Sequence, residues 1–319
     1  MHVLGIDAGG TKTVCYLADE TGRVVGEGRG GGANLQSHGE LEVEKVLHGV
    51  IEEAIADRSI VPAAMCLGVA GVDRKEDDQI VRGILRRLGF RTNTLVVNDA
   101  LVALVAGTGD APGVVLIAGT GSIAYGVNEE GFAARAGGWG YVLGDEGSGY
   151  WIGREALTAV MREADGRGSK THLTPLILER FQLTKVDGLV REVYDRGLQR
   201  QSVAALGTVV ERARAKGDVV ASEILTAASA ELSRAAESVI QRLQMRGRSF
   251  RVVLAGGMFR VIPWLADSVA RRLAEVAPRA SVVRLEVEPA LGAVHLALRE
   301  ARGGVRLPPY VDSSSPTPA

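Results

Sequence analysis

The segment GIDAGGTKT, residues 5 to 13, places an acid, two glycines and a threonine directly after an apolar run. Glycines let backbone N–H groups approach phosphate oxygens closely, and a threonine hydroxyl supplies one more donor. We therefore interpret Gly9, Gly10 and Thr11 as a phosphate-binding turn. Asp7 alone would repel phosphate, but it could hold Mg²⁺ beside the phosphates of a nucleotide. A simple glycine hairpin capped by Asp7 is the alternative.

The same segment comes close to a Walker A loop without satisfying that motif. A Walker A loop needs glycine, four residues and then Gly-Lys-Ser/Thr. Gly5 and Gly10 have the required spacing, but Thr11 precedes Lys12 and removes the Gly-Lys pair. A Walker A loop also enters a helix, whereas this turn leads into another apolar segment, TVCYL. We count Lys12 with the predicted nucleotide-binding turn, without the role of a Walker lysine.

Two more glycine-rich turns follow apolar runs later in the chain. LIAGTGS carries Thr120 and Gly121 at the end of a predicted buried strand. Two such turns, one from each of two domains, could hold a triphosphate between them. LAGGM carries Gly256 and Gly257, where the lack of side chains could admit the flat face of adenine or its ribose. A tight strand–helix turn is the alternative for this third segment.

Composition and targeting signals argue against several other classes of function. The chain has 37 basic and 38 acidic residues, a formal net charge of −1, and no basic arm or helix, so nucleic-acid binding is disfavoured. Cys15 and Cys66 lie in apolar runs and are interpreted as buried thiols in a reducing cytosol. The sequence shows no signal peptide and no apolar run long enough to span a membrane. We expect a cytoplasmic protein that binds neither nucleic acid nor membrane.

A second glycine pattern is a weak indication of dinucleotide binding. Gly26 to Gly31 read GEGRGG, which satisfies G-x-G-x-x-G after a predicted strand. A dinucleotide fingerprint must open a helix directly, but the next predicted helix begins some ten residues later. The five histidines also offer no catalytic triad and no H-E-x-x-H pair. We therefore disfavour both nicotinamide-cofactor and metalloprotease chemistry.

The hydrophobic pattern predicts that the three glycine turns lie on two α/β units. Three strands are followed by helix, strand, helix, strand and helix, and at residue 113 a similar order begins again. A long, mainly helical stretch from about 150 to 246 interrupts the second half. Because each half opens on an apolar strand that runs into a Gly-Thr turn, we expect two domains facing one another across a cleft. The tail 306–319, rich in Pro and Ser, is predicted to be flexible.

Five segments, GIDAGGTKT, NDA, GTGS, GGWGYVLGDEGSGYWIG and LAGGM, occur in that order. In this order they closely resemble the N-acetylglucosamine kinases and the wider BadF/BcrA-type ATPase family, within the actin/Hsp70/sugar-kinase superfamily. The resemblance covers about residues 3–300 and implies two ribonuclease H-like, actin-like ATPase domains with an ATP/sugar cleft between them. We place these domains at 1–109 and 110–300, with the helix over 289–305 as a candidate addition to the first.

The resemblance also implies roles for individual residues. The turns of Thr11 and Thr120 correspond to the two phosphate loops of the family. Asp99, in VVND, matches the acid that accepts the proton of the sugar 6-hydroxyl, and a carboxylate is suited to orienting that oxygen toward the γ-phosphorus. Asn34 and Asp145 match residues that hydrogen-bond the sugar. A helix cap is the alternative for Asp99 and for Asp145.

Two further segments carry expectations from the same resemblance. Gly138, Trp139 and Gly140 match the segment whose backbone and ring close on the sugar, with core packing as the alternative for Trp139. ERARAKGD, which contains Ala213, resembles the helix and turn that flank the adenine. We therefore expect Ala213 to lie at the nucleotide.

The function implied by the resemblance is 6-phosphorylation of N-acetylglucosamine by ATP and Mg²⁺ in a homodimer. Glucosamine is the first alternative substrate, and N-acetylmannosamine and glucose differ from it at C2. The ATP-driven activators of 2-hydroxyacyl-CoA dehydratases, from the same family, share a [4Fe–4S] cluster between subunits, which needs two thiolates from each. Cys15 and Cys66 supply that number but lie in predicted strands. A sugar-responsive repressor would need a DNA-binding domain and a Cys-rich zinc loop, neither of which the sequence shows.

Overall fold

The computed structural model describes residues 1–56, 60–72 and 75–311 of the chain. Its strands are β1 (His2–Ala8), β2 (Lys12–Asp19), β3 (Val24–Gly31), β4 (Ala64–Val69), β5 (Asn93–Asn98), β6 (Gly113–Ala118), β7 (Ser122–Val127), β8 (Ala133–Gly137), β9 (Arg251–Ala255) and β10 (Ser281–Arg284). Its helices are α1 (Leu35–His38), α2 (Glu40–Ile55), α3 (Lys75–Arg87), α4 (Asp99–Thr108), α5 (Gly149–Ala164), α6 (Leu173–Phe181), α7 (Asp187–Val190), α8 (Arg200–Ala204), α9 (Gly207–Arg214), α10 (Val219–Arg242), α11 (Gly257–Val261), α12 (Pro263–Val276) and α13 (Ala290–Gly303), and a π-helical turn (Arg191–Asp195) follows α7.

The two five-stranded sheets repeat one topology. The first sheet has the strand order β3-β2-β1-β4-β5, and the second has the order β8-β7-β6-β9-β10. In each sheet the first three strands along the chain pair antiparallel, and the last two join parallel to the first strand. This repeated mixed topology is ribonuclease H-like, and it confirms the predicted α/β fold with two facing units.

The glycine run Gly26 to Gly31 lies in β3 and has a packing role. A Cβ at Gly28 would lie 2.0 Å from the backbone oxygen of Val50, and one at Gly30 would lie 2.8 Å from a Val50 methyl group. Glycine at these positions therefore lets α2 lie directly on the sheet. The G-x-G-x-x-G pattern thus reports close helix–sheet packing. The helical spacing of apolar residues in ELEVEKVLHGVIEEAIADR predicts that α2 extends to Arg58, which lies outside the described residues.

The helices α4 and α13 fill the space between the two sheets. A Cβ at Gly5 of β1 would lie 2.3 Å from the backbone nitrogen of Val294 in α13. The two helices themselves touch, since a Cβ at Gly292 would lie 2.0 Å from the backbone oxygen of Val102. One buried apolar cluster contains side chains of both sheets and of both helices. The helix α13 thus packs on the first sheet.

The outer faces of the sheets carry separate cores. Helices α2 and α3 cover the first sheet, and the larger helical layer of α5, α6, α9, α10 and α12 covers the second. None of the helices in the described part of the chain is long and apolar enough to cross a membrane.

Two segments differ from the sequence prediction. The apolar pattern of SVVRLEVE predicts a strand over 281–288, but β10 ends at Arg284, and the next four residues form part of a cleft wall. Within the tail that was predicted to be flexible, Pro309 to Val311 lie against the second sheet, because the backbone of Ala133 at the edge of β8 exchanges hydrogen bonds with Pro309 and Val311. The rest of the predicted tail, 312–319, lies outside the described residues.

Candidate active site

A cleft of about 640 Å³ separates the two units at the ends of β1 and β6. Both glycine-threonine turns, the third glycine pair and a loop before α13 contribute to its walls. Its lining includes Asp7, Gly9, Gly10, Thr11, Lys12, Asn34, Asp99, Thr120, Gly121, Gly138, Gly140, Asp145, Arg200, Gln201, Gly256, Gly257, Glu286 and Glu288.

The two glycine-threonine turns meet across the cleft. The hydroxyl oxygens of Thr11 and Thr120 lie 2.9 Å apart, at hydrogen-bond distance. The first turn is closed by a hydrogen bond from the backbone N–H of Gly9 to the oxygen of Lys12, and the second by one from Gly119 to Gly121. Each turn therefore joins two antiparallel strands of its sheet, which excludes the Walker A geometry of a loop entering a helix.

The glycines of the cleft fall into two groups. A Cβ placed on Gly10 or on Gly257 would meet no atom within 4 Å, so the fold itself does not require glycine at these two positions. By contrast, Gly256 has a φ of +99°, and a Cβ there would lie 2.4 Å from the backbone oxygen of Ala118. The strand–helix turn interpretation therefore explains Gly256, whereas Gly10 and Gly257 leave open surface toward the cleft.

Asp7 is a buried carboxylate at the end of β1, only 8% exposed. The described residues donate no hydrogen bond to its side chain. Burial, and then the negative charge of Asp99, raise the pKa of Asp7 to about 8, although Lys12 opposes this shift. A buried carboxylate without hydrogen-bond donors is costly in free energy. This carboxylate is thus chemically suited to a cation ligand.

Lys12 forms an ion pair on the floor of the cleft. Its Nζ lies 2.6 Å from Oε2 of Glu288, and the guanidinium of Arg29 lies 3.4 Å from the other oxygen. Burial alone would raise the pKa of Glu288, but the two cations outweigh it and hold that pKa below its usual value. Glu288 belongs to the loop before α13, so the pair links that loop to β2.

Asp99 is the first residue of α4 and lines the cleft. The N-cap is Asn98, whose side chain accepts a hydrogen bond of 2.8 Å from the backbone N–H of Ala100. The alternative interpretation of Asp99 as the helix cap is therefore wrong. Because its charge raises the pKa of Asp7, the two carboxylates are electrostatic neighbours in the cleft.

Asp145 is a buried carboxylate on the other unit, with a left-handed φ of +59°. Burial raises its pKa, whereas hydrogen bonds from the backbone of Ser122 and Gly140 and the charge of Arg200 oppose that shift. The cap of α5 is Ser148, so the helix-cap alternative for Asp145 is wrong.

Of the other amino acids predicted to bind the sugar, some line the cleft and one lies on the surface. Asn34, Gly138 and Gly140 line the cleft. Trp139 is 60% exposed, which rules out the core-packing alternative, and it is absent from the described lining of the cleft. Its ring carries the guanidinium of Arg135 at 4.4 Å from the ring centroid. That the indole closes on a sugar stays a prediction.

Ala213, which was predicted to lie at the nucleotide, is not among the residues that line the cleft. Its side chain is fully buried in the helical core of the second unit. The inner face of α9 packs on neighbouring helices, and the place of Ala213 at the adenine stays a prediction. The thiols of Cys15 and Cys66 are buried in separate cores of the first sheet, and burial raises both pKa values. Buried thiols in two separate cores are unsuited to binding a [4Fe–4S] cluster that two subunits share.

Sequence reasoning missed four residues that shape the cleft. Asn98 caps α4, Glu288 pairs with Lys12, and Arg200 and Gln201 bring α8 to the cleft. Asn98 could have been found, since Asn is a preferred N-cap and it directly precedes the helical run. The other three lie in no motif, and only the tertiary structure brings them to the site.

Two antiparallel hairpin turns that meet over a cleft between repeated α/β sheets define the fold of an actin-like ATPase. The family model of the BadF/BadG/BcrA/BcrD ATPase family matches residues 4–297. The chain belongs to this family, which confirms the resemblance of its sequence motifs.

Comparison with individual proteins agrees with this family assignment. The chain is 37% identical over 302 residues to an N-acetylmuramic acid/N-acetylglucosamine kinase of Clostridium acetobutylicum, covering 94% of this chain and 99% of the relative. It is 36% identical over 313 residues to an N-acetyl-D-glucosamine kinase of Dictyostelium discoideum, covering 94% and 98%. The crystal structure of a proposed N-acetylglucosamine kinase from Chromobacterium violaceum superposes with a TM-score of 0.74 at 26% identity, over 93% of this chain and 98% of that chain.

Proposed function

We propose that this protein is an ATP-dependent kinase that transfers the γ-phosphoryl group of ATP to the 6-hydroxyl of N-acetylglucosamine. The observation that carries the proposal is the meeting of Thr11 and Thr120 over a cleft that also contains Asp99 and Asp145. Two hydroxyl-bearing turns suit a polyphosphate, and two carboxylates nearby suit a sugar rich in hydroxyl groups. The named relatives are kinases of N-acetylated amino sugars, which supports the same substrate class.

The nucleotide is proposed to lie along the glycine turns. Gly9, Gly10 and Thr11 hold its phosphates from one side, and Thr120 and Gly121 hold them from the other. Lys12 directly follows Thr11 in the first turn. Its positive charge would remain close to the phosphates even while it pairs with Glu288. Gly257, which follows Gly256 and has no side chain, would contact the adenine or its ribose.

Asp7 fits the Mg²⁺ that such a reaction needs. Mg²⁺ is held by one or two carboxylates together with water and substrate phosphates, and the described residues contain no cluster of three or more metal-ligating side chains. A single buried carboxylate with no hydrogen-bond donor meets that requirement. Bound between Asp7 and the phosphates, the cation would neutralise charge on the β- and γ-phosphate oxygens.

The sugar is proposed to lie between Asp99 and the segment around Asp145. Asn34, Asp145 and the backbone of Gly138 and Gly140 are its hydrogen-bonding partners. Asp99 accepts the proton of the 6-hydroxyl and orients that oxygen in line with the γ-phosphorus. Positioning of this kind needs no raised pKa, since phosphoryl transfer is catalysed mainly by alignment and charge stabilisation.

The proposal also covers the domain boundaries, the oligomeric state and the cellular location of the protein. We propose a first domain over 1–109 completed by α13, and a second over 110–300, because α13 packs on β1 and β4. We retain a homodimer and a cytoplasmic location as predictions for measurement.

The test is a coupled ADP-release assay with N-acetylglucosamine, glucosamine, N-acetylmannosamine, N-acetylmuramic acid and glucose. We expect the highest kcat/KM with N-acetylglucosamine. A higher kcat/KM with glucosamine would favour the alternative substrate. The position of the new phosphate follows from NMR of the product. Absence of turnover with every hexosamine would refute the proposal.

The metal site has its own test. Asp7→Asn keeps the size of the side chain and removes the carboxyl group that would ionise to bind the cation, so we expect the Mg²⁺ concentration for half-maximal rate to rise at least tenfold. Asp19→Asn, in an exposed turn at the far end of β2, is the matched control. An unchanged Mg²⁺ dependence in Asp7→Asn would remove this residue from the metal site.

A further inference from the structure

We propose that Arg200 is a further catalytic residue, which binds the oxygens of the phosphoryl group during its transfer. The inference rests on the proposed kinase function and adds a residue that no motif indicates. Arg200 opens the short helix α8 of the second unit and lines the cleft.

The position of Arg200 is fixed from two sides. The side chain of its neighbour Gln201 donates a hydrogen bond of 3.4 Å to the backbone oxygen of Gly10, in the first phosphate turn. Arg200 also acts on the charge of Asp145, and Asp145 lies beneath the second turn, since a Cβ at Gly121 would be 2.8 Å from its Oδ2. Arg200 thus begins a helix that contacts the first phosphate turn, and its guanidinium acts on the carboxylate that lies next to the second turn.

The guanidinium of Arg200 stacks on an aromatic ring and forms no ion pair with a carboxylate of the described residues. Its guanidinium carbon lies 4.8 Å from the ring centroid of Tyr141, and that ring contacts Tyr150 edge to face at 5.1 Å. Among the described residues, no carboxylate forms an ion pair with Arg200 and no acceptor hydrogen-bonds it. Arg284, at the same cleft, instead forms a 2.9 Å ion pair with Asp267. The donors of Arg200 remain available to an anion.

Phosphoryl transfer supplies such an anion. The bond between the 6-oxygen and the γ-phosphorus forms while the bond to the oxygen bridging the β- and γ-phosphorus breaks, leaving ADP, and the hydroxyl proton passes to Asp99. Negative charge is spread over the equatorial oxygens during this step. A planar guanidinium can donate two parallel hydrogen bonds to such oxygens. Arg200 would stabilise this charge without itself exchanging a proton.

A carboxylate on the substrate is the other anion that the arginine could bind. The sugar named for the Clostridium relative, N-acetylmuramic acid, is acidic. The hydrogen bond from Gln201 to Gly10 favours the phosphoryl group, because it ties α8 to the phosphate turn. The acidic sugar is therefore an outcome of the test.

The test compares Arg200→Gln and Arg200→Lys with the wild-type enzyme, using N-acetylglucosamine and N-acetylmuramic acid as acceptors. Arg234→Gln, which removes an arginine paired with Glu231 on the surface of α10, is the matched control. Loss of one donor to transition-state charge costs about 10²–10³-fold in kcat. We expect that loss for Arg200→Gln with both sugars, a smaller loss for Arg200→Lys, and KM values within threefold of wild type.

A second readout separates a catalytic from a structural role. Binding of ADP with aluminium fluoride and sugar, which mimics the transferring phosphoryl group, should weaken as kcat falls, whereas binding of ADP alone should persist. Tyr141→Ala should lower kcat, and Tyr141→Phe should retain it, because Phe keeps the stacking surface.

Three results would overturn the inference. They are an unchanged kcat in Arg200→Gln, a loss confined to the acidic sugar, and equal weakening of ADP and of the transition-state mimic. A wild-type enzyme inactive with every hexosamine refutes the proposed function, and this inference with it.

Discussion

The hydroxyl oxygens of Thr11 and Thr120 lie 2.9 Å apart, although 109 residues separate them along the chain. Each threonine follows the first strand of its own sheet, so the contact relates equivalent positions of two repeated units. Because this contact closes the place proposed for the triphosphate, a bound nucleotide would replace it by hydrogen bonds to phosphate.

The first prediction concerns these two hydroxyls. Thr11→Val and Thr120→Val keep the shape of each side chain and remove its donor. A hydrogen bond to a charged group contributes about 1.5–3 kcal/mol, so each change should raise the KM for ATP about tenfold or more. Thr226→Val is the control, since its hydroxyl bonds the backbone of Ser222 on the surface of α10. Wild-type KM values for ATP in both variants would contradict the phosphate assignment.

The second prediction compares two glycines. Gly10→Ala adds a methyl group where the protein has no atom within 4 Å, so the melting temperature should stay within about 1 °C of wild type. The methyl group would instead meet the nucleotide, which raises the KM for ATP. Gly121→Ala places a Cβ 2.8 Å from Oδ2 of Asp145, so it should impair sugar binding as well. Thermal unfolding and the two KM values distinguish these cases.

The third prediction separates two adjacent residues. Asn98→Ala removes the cap of α4 and should lower the free energy of unfolding by about 1 kcal/mol. Asp99→Asn leaves that cap intact and should leave stability nearly unchanged. It should lower kcat about 10²–10⁴-fold, the usual contribution of a positioned base. Urea unfolding and steady-state kinetics measure both effects, and an active Asp99→Asn enzyme would exclude the base.

The fourth prediction concerns pH and Asp218, the N-cap of α10. Burial raises the pKa of this carboxyl, but hydrogen bonds from the backbone of Ala221 and His172 and from the Thr171 hydroxyl outweigh burial and lower it. With the folded pKa below the unfolded value, the stabilisation is complete above pH 3.8 and disappears as pH falls through the folded pKa. Asp218→Asn should therefore cost about 1–2 kcal/mol at pH 7 and less below pH 4.

Urea unfolding of both forms between pH 3 and pH 7 measures the Asp218 effect. The control is Asp165→Asn, which removes an exposed ion pair with Arg167 and should have little effect because solvent screens it. A difference in stability that grows toward low pH would show that the sign assigned to Asp218 is incorrect.

The strands and the glycine turns were predictable because their signals are local. An apolar run followed by Gly-Gly-Thr or Gly-Thr-Gly marks the end of a buried strand whatever surrounds it. The contact between Thr11 and Thr120 was not predictable, since it depends on how α4 and α13 pack between the sheets. Asp99 and Asn98 show the same limit at short range, where either residue could have capped the helix.

Ala213 and Trp139 show why the rest was beyond the sequence. A helix that touches a ligand and one that touches a core share the same apolar periodicity, and α9 uses Ala213 for the core. Gly138 and Gly140 line the cleft, but the indole between them lies against the guanidinium of Arg135, a residue of β8 that belongs to no motif. Arg200 belongs to no motif, and only the contact of α8 with the first unit marks it.

The pairing of Pro309 to Val311 with Ala133 protects the open edge of the second sheet. An unpaired strand edge is a template on which another chain can add a strand and aggregate. The backbone of Ala133 is occupied by these terminal residues, and the oxygen of Arg135 accepts a 2.9 Å hydrogen bond from Arg242. The segment beyond α13 thus covers this edge against the addition of a strand from another chain, and a chain cut before Pro309 would lose solubility before it lost activity.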